Sequence, residues 1–113
     1  MEFCETSFFS KTICDLLTDD EYKAFQIELL KNPQLGNVMP GCGGFRKVRM
    51  ALPGRGKRGS ARVIYLFVLI TDIIYLVDVY TKGDQADIPA ADRKKLAQYA
   101  AILKGESKDE EER

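Results

Sequence analysis

Apolar positions recur along the chain with two different periods, and the change from one to the other predicts the elements. Residues 1–9 are apolar-rich, with Phe3, Phe8 and Phe9, and read as a first strand leading into a helical turn over residues 10–17. Thr18-Asp19-Asp20-Glu21 has capping-box spacing, with Thr at the N-cap and Glu three residues on. Behind it Tyr22, Phe25, Leu29 and Leu30 repeat with helical period and predict an inward face, read as packing and not as a cofactor box. Asn32-Pro33 stops this helix near Lys31, because proline cannot donate to the helical ladder. Residues 33–44 read as a loop that ends in Pro40-Gly41-Cys42-Gly43-Gly44.

From Phe45 the period becomes two. Over residues 45–51, Lys47 and Arg49 project to one side and Val48 and Met50 to the other. Residues 53–59 form a basic, glycine-rich loop. Residues 62–70 and 73–80 are apolar on both faces, as central strands are when both sides are covered, and Thr71-Asp72 suggests an antiparallel hairpin between them. Pro89 opens a last helix whose stripe is Leu96, Tyr99, Ala100 and Leu103, and Gly105 fits its C′ position. The order is β-α-α-β-β-β-α. The expected fold is α+β: a small antiparallel sheet with helices mainly on one face and the other face free. Residues 1–113 read as one domain, with 105–113 a charged tail expected to fray.

Composition narrows the chemistry. The absence of His excludes His-based triads, His-ligated zinc and His general bases. Cys4, Cys14 and Cys42 have no metal-ligand spacing and cannot all pair, so they read as free thiols in a reducing cytosol. Neither a metal nor another cofactor is expected. Asp78 and Asp84 have no partner carboxylate at useful spacing, which disfavours two-metal chemistry. Glu2 and Glu5 stand where a signal peptide needs positive charge, and the longest uncharged apolar run, residues 63–70, is far shorter than a membrane span. A cytoplasmic protein with no membrane partner is expected.

Charge changes the picture most. The formal net charge is +0, yet residues 29–71 contain eight bases and no acid, flanked by segments of net −5 and −3. The bases are Lys31, Arg46, Lys47, Arg49, Arg55, Lys57, Arg58 and Arg62. If the strands are neighbours, Lys47, Arg49, Arg62 and Lys82 converge, with Tyr65 and Tyr80 on the same strands. Cations interleaved with aromatic rings suit single-stranded RNA, because charges meet phosphates while rings stack on bases. A solvated basic face, or an interface for an acidic protein, is the plainer alternative. The glycine-rich loop lacks the Lys-Ser or Lys-Thr of a phosphate loop, since Gly59 is followed by Ser60.

The stretch Gly43-Gly44-Phe45-Arg46-Lys47-Val48-Arg49-Met50-Ala51, followed by Gly56-Lys57-Arg58-Gly59-Ser60-Ala61-Arg62-Val63-Ile64-Tyr65, resembles the HigB branch of the RelE/ParE bacterial toxin superfamily. Asp20-Glu21, Leu30-x-Asn32-Pro33-x-Leu35-Gly36 and Val79-Tyr80-Thr81-Lys82-Gly83 fall in the same order, so the resemblance spans about residues 2–104. It implies a RelE-like fold and a toxin of a type II toxin–antitoxin system. The implied activity is metal-independent cleavage of mRNA in the ribosomal A site, by attack of a 2′-hydroxyl on the adjacent phosphate. The implied partners are a cognate antitoxin with a helix-turn-helix DNA-binding domain, and the 30S subunit with its 16S rRNA.

Carried over residue by residue, Arg62 matches the phosphate-stabilising arginine and Lys82 a basic residue after the last strand. Lys47 and Arg49 match paired basic positions, one of them the general base. Tyr80 and Tyr65 are stacking candidates, and Arg46, Arg55, Lys57 and Arg58 are RNA-binding ones. Without His, a Lys among like charges is the natural proton acceptor, because neighbouring cations favour its neutral form. A gyrase-binding toxin of the same fold (ParE-like) and a non-catalytic RNA-binding remnant are the competing readings. If phosphate contacts dominate binding, affinity for ribosomes falls steeply with salt, by roughly 0.7 in log–log slope per single-strand contact. Binding titrations over a salt series check this, and a flat response contradicts it.

Overall fold

The computed structural model describes residues 1–52, 60–81 and 90–105. The elements are β1 (Glu2–Glu5), α1 (Ser7–Leu16), α2 (Asp19–Lys31), β2 (Asn37–Val38), β3 (Arg46–Ala51), β4 (Ser60–Val68), β5 (Ile73–Thr81) and α3 (Ala90–Leu103). They form a five-stranded sheet of order β1-β5-β4-β3-β2 with three helices. The mixed α+β architecture agrees with the sequence pattern.

Local chemistry sets the helix ends. The Thr6 hydroxyl accepts from Phe9 N–H at 3.1 Å and donates to the Val77 carbonyl at 2.9 Å, so α1 starts three residues earlier than its apolar pattern suggests. Thr18 and Glu21 form the expected capping box, the Glu21 N–H donating to Thr18 Oγ1 at 3.2 Å and the Thr18 N–H to Glu21 Oε1 at 2.9 Å. At the end of α3, Gly105 takes a positive φ of 77° and donates to the Ile102 carbonyl at 3.0 Å, filling the C′ role that its position suggested.

β4 pairs antiparallel with both β3 and β5 and is apolar on both faces. Ala61, Val63 and Tyr65 face one way and join Phe9, Ile13, Phe25, Leu29, Ile74 and Leu76 in a core under α1 and α2. Ile64, Leu66 and Val68 face the other way and meet Met39, Cys42, Phe45 and Ala100 under α3. The helices therefore lie on both faces, α1 and α2 on one and α3 on the other, which corrects the expectation of one covered face. The signal was present in the two-sided apolar pattern of β4 and β5.

Three further corrections concern strands and faces. β1 runs parallel to β5, anchored by Glu2 N–H on the Asp72 carbonyl at 3.1 Å and Thr6 N–H on the Leu76 carbonyl at 3.1 Å, so the sheet is mixed and not wholly antiparallel. Residues 37–38, expected as loop, pair with β3 as a two-residue edge strand. The β4–β5 connection spans residues 69–72: Asp72, at φ 58°, donates its N–H to the Val68 carbonyl at 2.9 Å, and Leu69 and Ile70 are exposed at the tip. Leu30 is exposed too, while Phe25 and Leu29 of its stripe are buried and Tyr22 packs against the same core. The basic loop 53–59, Pro89 and the tail 106–113 lie outside the described residues.

Tyr65 ties the 33–36 turn to the sheet. It is fully buried, its hydroxyl accepts from the Gly36 N–H at 2.8 Å and donates to the Pro33 carbonyl at 2.9 Å. Gly36 is required there, since a Cβ would lie 2.8 Å from the Lys47 carbonyl oxygen. Tyr65→Phe strands a buried N–H, so urea unfolding is expected to show a loss of about 1–3 kcal/mol. An unchanged midpoint would mean that the phenol does not anchor the turn.

Candidate RNA-binding face

The register of the three central strands places the expected residues in rows. Arg49 on β3 pairs with Arg62 on β4, and Arg62 with Tyr80 on β5. The next row on the same face is Lys47, Ile64 and Asp78. Neighbouring strands lie about 4.8 Å apart and same-face rows about 7 Å apart, so these side chains share an area the size of a dinucleotide. This is the face that α3 covers, but α3 covers only part of it. Its Leu96, Ala100 and Leu103 pack with Ile64, Leu66 and Val68, and Tyr80 packs against the same cluster, while Arg62 and Arg49 lie outside it.

The reason for partial cover is the turn before β3. Gly43 has φ 73°, and a Cβ there would lie 2.8 Å from the Ala100 Cβ and 2.9 Å from the Ala97 Cα. The turn thus docks α3 by backbone contact, and the Lys104 ammonium fastens the far end by donating to the Gly43 carbonyl at 2.7 Å. The ring of Phe45 stacks on Tyr99 with centroids 6.2 Å apart.

The electrostatics of the open part are one-sided. Lys47 and Arg62 are half-buried and Arg49 is exposed. None of the three pairs with a carboxylate among the described residues, and Arg62 only reaches Ser60 Oγ, at 3.3 Å. Like charges directly opposite across strands cost stability, so Arg49 facing Arg62 is an arrangement that an anion would relieve. Among the described residues no three Cys, Asp or Glu side chains converge as metal ligands would.

A bulge aims the edge of this face. Tyr65 pairs with Leu76 and Ile64 with Asp78, so Val77 is an extra residue in β5 that brings Asp78 and Tyr80 onto the face of Ile64 and Arg62. Asp78 and Tyr80 line a groove of about 880 Å³ between α1, β5 and α3, walled by Phe8, Leu16, Leu96 and Tyr99. Burial pushes the Asp78 carboxyl up, against the lowering effect of a hydrogen bond from the Val79 N–H.

Two expected RNA contacts are placed elsewhere. Tyr65 is sealed in the core and presents no ring to a base. Arg46 projects to the opposite face from Lys47, where its Nη1 donates to the Gly36 carbonyl at 2.7 Å and reaches the Gln34 carbonyl at 3.4 Å. Both belong to the 33–36 turn; alternation along β3 and β4 puts them with Val48 and Val63. Lys82, Arg55, Lys57 and Arg58 lie outside the described residues.

One residue that sequence reasoning missed is Arg93. It stands in the net-acidic C-terminal segment, yet its Cδ lies 3.9 Å from where a Gly41 Cβ would be. Burial pushes the Cys42 thiol up, against the lowering effects of Arg93 and Lys47.

The architecture is a mixed five-stranded sheet with helices on both faces and a group of cations at one end of the α3 face. The fold matches that of the E. coli toxin RelE, solved as an arginine-to-alanine double mutant in the free state, with TM-score 0.56, 15% identity, and cover of 86% of this chain and 93% of that one. The family model described as the RelE toxin of the RelE/RelB toxin–antitoxin system matches residues 30–112. The chain belongs to the RelE family and is a toxin of the toxin–antitoxin kind. None of its described helices is long and apolar enough to cross a membrane.

The raised Asp78 carboxyl has a defined sign. Its neutral form suits the fold, so that contribution is present below the unfolded pKa and is lost as pH rises through the folded one. Asp78→Asn stays neutral throughout, and its stability relative to the native chain is expected to grow between about pH 3 and about pH 7. Paired urea denaturations at each pH check this; a gap that narrows with pH contradicts it.

Proposed function

We propose that the chain is a ribosome-dependent mRNA endonuclease of the HigB branch, the toxin of a type II pair acting in the cytoplasm. The observation that carries this reading is the row Arg49–Arg62–Tyr80 beside Lys47 on one face of the sheet, at the border of the part that α3 covers. The chemistry divides among these groups. Of Lys47 and Arg49, only the lysine can give up its proton readily, since a guanidinium stays charged. Neutral Lys47 takes the proton of a 2′-hydroxyl as its oxygen attacks the adjacent phosphorus. The bond from phosphorus to the 5′-oxygen then breaks, leaving a 2′,3′-cyclic phosphate and a 5′-hydroxyl.

Arg62 and Arg49 hold the charge that builds on the phosphorane, and Tyr80 stacks on a flanking base. Lys82 serves the leaving oxygen or its phosphate. Arg55, Lys57 and Arg58 grip the 16S rRNA of the 30S subunit. A cognate antitoxin of helix-turn-helix type, with an acidic surface, neutralises the face.

Primer extension on mRNA in a translating extract tests the reading. Cuts in the A site are expected with the native chain and a loss of about 100-fold or more with Arg62→Ala, the scale of removing one transition-state donor. Intact mRNA with inhibited DNA supercoiling would establish the ParE-like gyrase reading instead. Neither cleavage nor growth arrest on induction would leave a non-catalytic RNA-binding remnant.

A further inference from the structure

The phosphate chemistry proposed for Arg49 and Arg62 leaves the groove beside Tyr80 without a task. It opens where β5 passes between α1 and α3, and its volume of about 880 Å³ falls within the roughly 300–1,000 Å³ of small-molecule sites. Three rings line it: Phe8 from α1, Tyr80 from β5 and Tyr99 from α3. Phe8 is 58% exposed, a large apolar ring that the chain itself leaves in water. Tyr99 is stacked on Phe45 and is still 37% exposed.

Asp78 is the one acid in the cross-strand rows Arg49–Arg62–Tyr80 and Lys47–Ile64–Asp78. A carboxylate repels phosphate, so it adds nothing to a grip on an RNA backbone. It is half-buried and lines the groove, and no ammonium or guanidinium among the described residues pairs with it. Its backbone hydrogen bond with Val79 takes one of about four lone-pair positions and leaves the others as acceptors. An acceptor recessed among rings suits a flat ring that carries N–H groups on its edge. The four RNA bases differ in that edge. Guanine presents two adjacent donors, N1–H and the 2-amino group, which match the two oxygens of a carboxylate. Adenine and cytosine set an acceptor nitrogen beside their amino group, and uracil has one N–H between two carbonyls, so each turns a lone pair toward the carboxylate.

We propose that this groove is a nucleobase pocket that selects guanine beside the cut, with the base among Phe8, Tyr80 and Tyr99 and its N1–H and 2-amino group donating to Asp78. This rests on the reading of the chain as an RNA-cleaving toxin, and it adds a sequence preference that phosphate contacts alone do not supply. Tyr80 joins the two sites, since it pairs with Arg62 across the sheet and also lines the groove. The selected base therefore belongs to a nucleotide adjoining the phosphate on Arg62.

The test maps cut sites in a translating extract on mRNAs that carry every codon. At one position flanking the cut, the native chain is expected to favour guanine about tenfold, the scale of one bidentate base contact. Asp78→Asn loses that excess and gains adenine, with which an amide pairs in bidentate fashion. Phe8→Ala keeps the preference for guanine and cuts more weakly. Inosine, which lacks the 2-amino group, slows native single-turnover cleavage about tenfold when it replaces guanosine at that position, and leaves Asp78→Asn unaffected. Urea unfolding of each variant reports whether the fold is intact, and the inosine comparison on the native chain needs no variant at all.

A native chain that cuts with no base preference, or equally fast at inosine and guanosine, overturns the pocket and leaves the nuclease reading standing. So does a guanine excess unchanged in folded Asp78→Asn. Native cutting by Phe8→Ala with loss of its neutralisation by the antitoxin makes the groove a protein-docking surface and also overturns the pocket. A native chain that cuts no mRNA overturns the pocket together with the function on which it rests.

Discussion

Everything distinctive about this molecule depends on how closely one turn approaches one helix. Gly43 lets the backbone of the turn before β3 rest against Ala97 and Ala100, a contact that any Cβ would prevent. That contact fixes α3 over Ile64, Leu66 and Val68 and gives the sheet its second core. It also fixes what α3 does not cover. Because β4 is apolar at 64, 66 and 68 and cationic at 62, one strand runs from a helix-covered half to an open one. A buried core and an exposed reactive patch are thus continuous along a single nine-residue strand.

The second constraint is electrostatic. Two neighbouring strands bring Lys47, Arg49 and Arg62 together with no carboxylate among the described residues to balance them. Such an arrangement lowers stability in the free protein and is held in place by the two cores beneath it. Both flanks of the chain are acidic, yet Arg93 from the C-terminal flank lies against the turn at Gly41. The polarity of the surface is therefore set by where side chains point, more than by the local composition of the sequence.

Arg46 and Tyr65 show the limit of reading function from residue type. Each lies one position from a residue of the patch or on the strand beside it, and each has the chemistry of an RNA contact. The pleat sends both to the other face, where they bind carbonyls and an N–H of the 33–36 turn. Arg46 keeps its charge yet spends its donors on main chain, while the Tyr65 ring lies in the core. The period-two alternation that separates Lys47 from Val48 already contained this assignment for Arg46, and composition hid it.

The sequence by itself determined the elements and the patch. Capping-box spacing, helix-stopping Asn32-Pro33 and strict alternation act over a few residues, so they can be read without knowing the rest of the chain. The direction of β1, the two-residue strand β2, the placement of helices on both faces and the approach of Arg93 were decided only in three dimensions. Each of these depends on partners far apart in sequence: β1 on β5 and Arg93 on Gly41. A short edge strand carries no pattern that states its direction, because main-chain groups of any residue can pair either way. An arginine in an acidic stretch looks solvated until the fold sets it against a turn about fifty residues away.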